Sequence, residues 1–354
     1  SPVSANQTLG AAFEKFPIWI DRAFLRYDAG KAPGATLAVA LGRFENPFFT
    51  TELMWSDAVS FDGAAVQGSF PTSPGLRPFL TAGAFPLYTS ALAFPVEQTA
   101  KFGSLDKWLY AVQAGAEWGS AERLAVKLAG AFYYFDHVEG RLSGPCMTNL
   151  GYQSCDTDES RPAFAQKGNT YMALRTPDPS LAAGFGPEDQ FFGLASRFRV
   201  LDLTARVGVP AVPGLLRVTV EGEALRNVGF SGSQIAQVAL NNRGRCDAAG
   251  NCGGFAGGRD GYLVRLVLGS PTQARQWDWN AGVSYRRLES DAVVDAFDDP
   301  DFGLGGTNLE GYAVTAGVAL TDAVWAAARW MSADSVAGPP LRCDVLHLDL
   351  SARF

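Results

Sequence analysis

Three polar residues near the end of the chain have the side-chain types of a hydrolytic triad. His347, Asp349 and Ser351 stand at alternate positions, so they share one face of a strand. Alternate strand residues lie about 7 Å apart, too far for the nucleophile–base and base–orienter hydrogen bonds that such a triad needs. No phosphate-binding glycine loop before a helix and no metal-ligand cluster stands out either. The sequence therefore predicts a protein that is not an enzyme.

An acidic segment at residues 289–308 has side chains that suit a cation. Its candidate calcium ligands are Asp295, Asp298, Asp299 and Asp301. Closely spaced carboxylates are the ligands that Ca²⁺ prefers. A solvated acidic loop has the same composition, and it is the interpretation that we favour. The sequence therefore predicts no required cofactor.

Four of the five cysteines fall into two close pairs in polar stretches. Cys146 and Cys155 form one pair, and Cys246 and Cys252 form the other. Neither pair has the two-residue spacing of a zinc site, and no histidine is adjacent. Two disulfide-closed loops in an oxidising compartment are therefore expected. Cys343 is left over and is interpreted as a free thiol or as a sign that part of the chain is absent.

Basic residues recur on the polar sides of predicted strands. They are Arg22, Arg26, Arg43, Lys127, Arg197, Arg199, Arg217, Arg265, Arg286 and Arg329. The opposite side of these strands is apolar, because successive side chains of a strand point to opposite faces. The sequence therefore predicts a sheet with one apolar face and one face rich in arginine.

The strands that carry these residues have a regular layout. The clearest spans residues 108–118, with an aromatic residue near each end of its apolar face. The final stretch, residues 344–354, alternates strictly and ends on Phe354 in its apolar row. That ending resembles the C-terminal assembly signal of bacterial outer-membrane β-barrels, which implies recognition of Phe354 by the barrel assembly machinery. A soluble sandwich could also end on an amphipathic strand, so the other strands must decide.

About thirteen strands are predicted, most of them 9 to 12 residues long, the length that a tilted strand needs to cross a bilayer. Short turns alternate with long loops, as they do in outer-membrane barrels. The 354 residues are 47% hydrophobic and 18% charged, with a net charge of −7, which argues against a nucleic-acid partner. An all-β transmembrane antiparallel barrel is therefore favoured over a large soluble all-β protein.

Seven stretches resemble the "putative porin" family of Gram-negative outer-membrane proteins. They are residues 17–24 (PIWIDRAF), 42–49 (GRFENPFF), 60–65 (SFDGAA), 166–170 (QKGNT), 291–297 (DAVVDAF), 304–308 (LGGTN) and 328–334 (ARWMSAD). The resemblance covers nearly the whole chain and implies one domain over residues 1–354. Family members carry further strands before residue 17, so about sixteen strands are expected in a complete barrel. An odd count of thirteen agrees, since bacterial barrels have even numbers.

The resemblance also implies where a pore would narrow. With three strands restored, residues 46–60 become the third extracellular loop, which folds into the lumen of sixteen-stranded porins. The acids of this region are Glu45, Glu52, Asp57 and Asp62. Opposite the lumenal arginines they would set a transverse field that selects solutes. The alternative is that these charges pair across strands and fill the interior.

The expected function is a water-filled channel for passive diffusion of small hydrophilic solutes or ions across a bacterial outer membrane. A structural barrel that scaffolds or sheathes another outer-membrane component is the alternative. Lipid, the barrel assembly machinery and small solutes are the expected partners, and a homotrimer is expected by analogy. Because the basic residues are expected on the wall, a modest preference for anions is predicted, opposed by Glu45, Glu52 and Asp57.

Overall fold

The computed structural model describes residues 2–3, 20–29, 34–89, 104–120, 122–146, 155–177, 190–212, 214–244, 252–270, 272 and 274–353. Thirteen strands form one antiparallel sheet, in which each strand pairs with the next one along the chain. They are β1 (Ala23–Asp28), β2 (Thr36–Glu45), β3 (Ser60–Ser69), β4 (Leu76–Tyr88), β5 (Lys107–Gly119), β6 (Ala125–Asp136), β11 (Arg199–Val212), β12 (Leu216–Asn227), β13 (Asp260–Gly269), β14 (Trp279–Leu288), β15 (Leu309–Ala319), β16 (Val324–Ser335) and β17 (Arg342–Ala352). The prediction of an all-β antiparallel fold with about thirteen strands is confirmed.

The long connections contain the remaining elements. These are the short strands β7 (Pro145–Cys146), β8 (Tyr171–Ala173), β9 (Thr176–Pro177) and β10 (Phe192–Leu194), the helix α1 (Gly232–Val238), and three 3₁₀ turns at Asp158–Ser160, Asp295–Phe297 and Phe302–Leu304. No helix in the described ranges is long and apolar enough to span a membrane.

One face of the sheet is a continuous apolar surface. In β13, Tyr262, Val264, Leu266 and Leu268 are all exposed, whereas Leu263 is 1% exposed. Other strands repeat this alternation, with outward aromatic pairs such as Tyr262–Tyr285 and Tyr312–Trp330. Soluble monomers rarely expose so large an apolar patch. Apolar rows with aromatic girdles are what a lipid-facing strand requires.

The other face of the sheet holds the core. Aromatic rings from β2, β3, β4 and β6 pack against rings from two loops that fold inward. The rings are Phe44, Phe48, Trp55, Phe61, Phe85, Tyr133, Phe135 and Phe297. This cluster packs the two inward loops against the inner side of β2–β6.

One predicted strand is divided. The sequence favoured a single strand over residues 191–207 with a bulge near Val200, but β10 ends at Leu194 and β11 begins at Arg199. Val200 is regularly paired on both sides. The interruption lies before β11, where the Asn227 side chain donates to the Arg197 carbonyl and accepts from the Arg199 amide. These side-chain bonds replace ladder bonds, so the prediction of one long strand was wrong.

Candidate functional site

The loop between β2 and β3, residues 46–59, crosses the inner face of the sheet; we call it the constriction loop. The Phe49 backbone exchanges two hydrogen bonds with the Gln113 side chain of β5, at 2.8 and 2.9 Å. The Thr51 amide donates to Glu223 of β12 at 3.1 Å, and Glu52 forms an ion pair with Arg265 of β13. The loop therefore reaches from β2 to β13, in the inward position that the family resemblance implied.

Local chemistry shapes this loop. The Asn46 side chain accepts from the Phe48 amide and donates to the Thr50 hydroxyl, which is the local bonding that asparagine provides in turns. The buried side chains of Leu53, Met54 and Trp55 follow, and they join the aromatic cluster. The loop is thus held by hydrogen bonds at one end and by apolar burial at the other.

The loop between β14 and β15, residues 289–308, also folds inward; we call it the acidic loop. Asp299 contacts Arg286 of β14 at 3.3 Å and Arg329 of β16 at 2.9 Å. Asp301 lies 3.9 Å from Arg329 and 3.8 Å from His347 of β17. The prediction of a solvated acidic loop is wrong, because Asp295, Asp298 and Asp299 are buried, and Asp299 is paired with arginines of the wall.

Residues 166–170 fasten the acidic loop. The Asn169 side chain donates to the carbonyls of Ser290 and Val293 at 2.6 and 2.8 Å and accepts from the Asp295 amide at 2.8 Å. Thr170 donates twice to Asp291.

Two glycines let the backbones of these segments approach each other. A side chain on Gly168 (φ +111°) would meet the Thr307 carbonyl, and one on Gly306 (φ +84°) would meet the Lys167 carbonyl. Only glycine adopts such conformations at little cost. Three of the seven stretches that resemble the family thus form one interface.

A cavity of about 500 Å³ lies between the two loops and the wall; we call it the eyelet. Its charged lining is Glu52, Asp57, Asp299 and Asp301 from the loops and Arg265 and Arg329 from the strands. Neutral polar side chains of Ser56, Asn280, Ser284 and Thr315 complete the polar part of the lining. Acids on the loop side thus face bases on the wall side, as a transverse field requires.

Other inward charges pair across strands instead. Arg77, Glu117, Lys127, Arg206, Glu221 and Arg265 stand directly opposite one another on consecutive strands. Lys127 bonds Glu117 at 2.8 Å, Arg206 bonds Glu221, and Arg265 lies 3.2 Å from Glu221. Opposite charges facing each other across a sheet stabilise it. The two interpretations of the sequence therefore apply to different parts of the wall, and Arg265 belongs to both.

The structure brings together only some of the predicted constriction residues. Glu52, Asp57, Arg265 and Arg329 meet at the eyelet, and Arg286 lies behind Asp299. Arg22 and Glu45 pair near the ends of β1 and β2. Arg26 bonds Asp28, and Arg217 donates to the Gly208 carbonyl near a short turn. The predicted constriction residues Arg22, Glu45, Arg26 and Arg217 therefore do not line the eyelet.

The lumenal assignment of Arg43 and Asp62 was wrong. They are directly opposite each other and bonded at 2.6 Å. In β2 the buried inner row is Ala38, Ala40 and Phe44, so Arg43 belongs to the outward row with Leu41. Arg43 and Asp62 form an ion pair on the outward row, near the end of β2.

Two further arginines also lie elsewhere than predicted. Arg199 shares the parity of the exposed Leu201 and Leu203 and lies over the Tyr134 ring at 5.3 Å. Arg197 precedes β11 and is paired with Glu139 at 2.7 Å. The assignment of Arg199 assumed a bulge near Val200, which does not form, so Arg199 keeps the outward parity of Leu201. The assignment of Arg197 assumed a strand that reaches back to residue 191, but β11 begins only at Arg199.

Sequence reasoning missed the acids that complete the site. Asp299 and Asp301 were considered only as calcium ligands, and Glu221, although on the polar row of Arg217, was not named as a constriction residue. That parity was a usable signal. No sequence signal pairs Asp299 with Arg286 and Arg329, because the loop must first fold inward.

Burial and neighbouring charges shift the acids of these loops in different directions. Burial raises the pKa of Asp298 to about 8 and that of Asp295 to about 7. Burial also raises the pKa of Asp57, with repulsion from Asp299 adding to the effect. At Asp299 burial acts upward, but Arg286 and Arg329 outweigh it and lower the pKa.

The other chemical candidates lie apart. In the part of the chain that the structure describes, no three His, Cys, Asp or Glu side chains group as a metal site. Asp299 and Asp301 lie against Arg329, and Asp295 and Asp298 are buried. His347, Asp349 and Ser351 stand opposite Arg329, Ala327 and Trp325, spread along β17 rather than converging.

The disulfide prediction is confirmed for Cys146 and Cys155, which are bonded. Cys252 is also disulfide-bonded, and Cys343 is free. Cys246 and Phe354 lie outside the described residues, so the second pairing and the assembly signal stay predictions.

A family model described as "Putative porin" matches residues 1–354. The chain belongs to this family. The resemblance inferred from the sequence is confirmed, and with it the transmembrane antiparallel β-barrel class. The outer-membrane channel DcaP of Acinetobacter baumannii is similar at 7% identity and a TM-score of 0.41, over 91% of this chain and 74% of that chain. LpxR from Salmonella typhimurium is similar at 11% identity and a TM-score of 0.27, over 82% and 88%. No curated protein matches.

Proposed function

We propose that this protein is an outer-membrane porin that lets small hydrophilic solutes and ions diffuse passively through the eyelet. The observation that carries the proposal is a charged cavity of about 500 Å³ on the inner face of a sheet whose other face is apolar. A polar interior inside an apolar exterior is the arrangement that a water-filled membrane passage requires. Membership of the porin family supports the same function.

The site is built to keep its shape. The constriction loop is bonded to three strands, and the acidic loop is clamped by Asn169 and Thr170. A narrow point formed by two anchored loops selects by size and charge without a moving part. The proposed partners are lipid on the apolar face, the barrel assembly machinery at Phe354, the permeating solutes, and two further copies in a homotrimer.

A second function has one observation in its favour. The aromatic cluster occupies part of the interior and the cross-strand ion pairs neutralise charge in the wall, which suits a barrel that scaffolds or sheathes another component. Such a barrel would carry little ionic current by itself.

Single-channel recording in planar bilayers with the full chain separates the two functions. The porin is expected to give stable current steps. Ala58→Trp adds bulk at an exposed position of the eyelet lining and should lower the conductance. Ala326→Trp adds the same bulk on the outward face of β16, since Ala326 alternates with the inward Trp325 and Arg329. This control should leave the conductance unchanged. Absence of current from the folded wild type would reject the channel and favour the scaffold.

A further inference from the structure

The arginines of the eyelet already have partners. Arg265 is bonded to both Glu52 and Glu221. Arg329 is bonded to Asp299 at 2.9 Å, with Asp301 at 3.9 Å. Because these guanidinium groups are each shared between two carboxylates, they offer little free positive charge to a passing anion.

Asp57 differs from the other eyelet acids. Its carboxylate takes part in none of the ion pairs or hydrogen bonds found among the described residues, although it lines the cavity. Its charged neighbours include Asp299 and Glu221, which repel it, and Arg329, which attracts it. The lining carries four acids and two bases, and Arg286 behind Asp299 is a third base. One negative charge is therefore left over, and Asp57 is the acid without a bonded cation.

That charge acts over the full width of the passage. A cavity of about 500 Å³ is on the order of 10 Å across, close to the Debye length of about 10 Å at 0.1 M salt. The low-dielectric walls of a cleft also focus its field. An ion crossing the eyelet therefore cannot avoid Asp57 by keeping to the far side.

We propose that Asp57 sets the charge selectivity of the passage, which prefers cations and small solutes that carry an ammonium group. The proposal rests on the channel function. It replaces the anion preference predicted from the sequence, which counted the wall arginines without the acids Glu117, Glu221, Asp299 and Asp301. Asn280, Ser284 and Thr315 supply neutral hydrogen-bonding groups for the uncharged part of such a solute.

Reversal potentials in gradients of potassium chloride and of ethylammonium chloride test the proposal. The wild type should be cation-selective in both salts. Asp57→Asn should lower the cation-to-anion permeability ratio by up to about sixteenfold at low salt, because one unit charge at about 5 Å in water favours a cation about fourfold and disfavours an anion about fourfold. Asp57→Lys should make the passage anion-selective. Asp322→Asn is the matched control, since it removes one acid from an exposed turn between β15 and β16.

The outcomes are distinct. A folded wild type without current rejects the channel function itself. A conducting wild type that prefers anions, or an Asp57→Asn variant whose reversal potential equals that of Asp322→Asn, overturns the role of Asp57 and leaves the channel intact. Lowering the pH should reduce the cation preference of the wild type and not that of Asp57→Asn, because burial raises the pKa of this carboxyl.

Discussion

Replacing Asn169 by alanine should release the acidic loop from residues 166–170. The fully buried Asn169 side chain makes strong hydrogen bonds to the Ser290 carbonyl, the Val293 carbonyl and the Asp295 amide. The Ser290 carbonyl keeps a second donor, the Thr307 hydroxyl at 2.7 Å. The Val293 carbonyl and the Asp295 amide lose a partner each. A buried polar group left unpaired costs about 1 to 3 kcal/mol, so the docked loop should lose about 2 to 6 kcal/mol.

Hydrogen exchange read out by mass spectrometry measures this loss locally. Peptides covering residues 289–308 should exchange at least tenfold faster in Asn169→Ala, since about 1.4 kcal/mol corresponds to a factor of ten. Peptides from β15 and β16 should change less. Asn280→Ala is the control, because no side-chain hydrogen bond of Asn280 occurs among the described residues while its side chain also faces the interior. Equal exchange of the loop in Asn169→Ala and the wild type would refute the idea that Asn169 clamps it.

Three further predictions concern the same loops and the disulfide. Trp55→Ala removes a 2% exposed ring that contacts Phe61, Tyr133, Phe135 and Phe297. The packing of the constriction loop should lose about 3 to 5 kcal/mol. Single-channel currents should therefore become noisier and larger, and unchanged currents would contradict a packed constriction loop. Burial of Asp298 in the docked acidic loop raises its pKa from 3.8 to about 8. The stability that the protonated carboxyl contributes is therefore complete below about pH 4, declines as the pH rises, and is lost by about pH 8. The fall in Tm between pH 5 and pH 8.5 should be smaller in Asp298→Asn than in the wild type, and an equal fall would argue against burial of this carboxyl. Cys146→Ser with Cys155→Ser should destabilise the surrounding loop by about 2.5 kcal/mol, the chain-entropy value for a loop closed over a sequence separation of 9 residues. Asp158 near this disulfide also forms a buried ion pair with Arg175 at 2.7 Å. A chemical denaturation midpoint equal to that of the wild type would show that this ion pair holds the segment without the disulfide.

The strands could be predicted because alternation is a local property. Val264 and Leu266 are apolar and Arg265 between them is charged, and this alternation can be read without knowledge of the rest of the chain. It correctly predicted that Arg265 lies on the face opposite Val264 and Leu266. The failures share one cause. Arg199 was assigned to the inner face through a bulge near Val200 that does not form, and Arg43 was assigned without knowing which row Phe44 buries. Parity gives two faces, but only packing decides which face is inside.

The loops show the other limit of the sequence. The inward fold of the constriction loop was inferred from the family resemblance, and its anchors Gln113 and Glu223 lie far away in the sequence. The acidic loop was expected in solvent, because its composition is that of a surface loop. Its burial depends on Arg286 and Arg329 and on the Asn169 side chain, which only the folded sheet brings within reach.

The balance of charge inside the barrel follows from the same distinction. Charges on neighbouring strands, such as Lys127 and Glu117, are fixed opposite one another by the register and neutralise each other in the wall. Charges on the loops are placed by long-range contacts, and they exceed the bases that they meet at the eyelet. Selectivity therefore depends on the loop acids rather than on the larger number of arginines in the strands. A variant that removes a wall pair as a unit, Lys127→Met with Glu117→Met, should change stability more than selectivity, whereas Asp57→Asn should do the reverse.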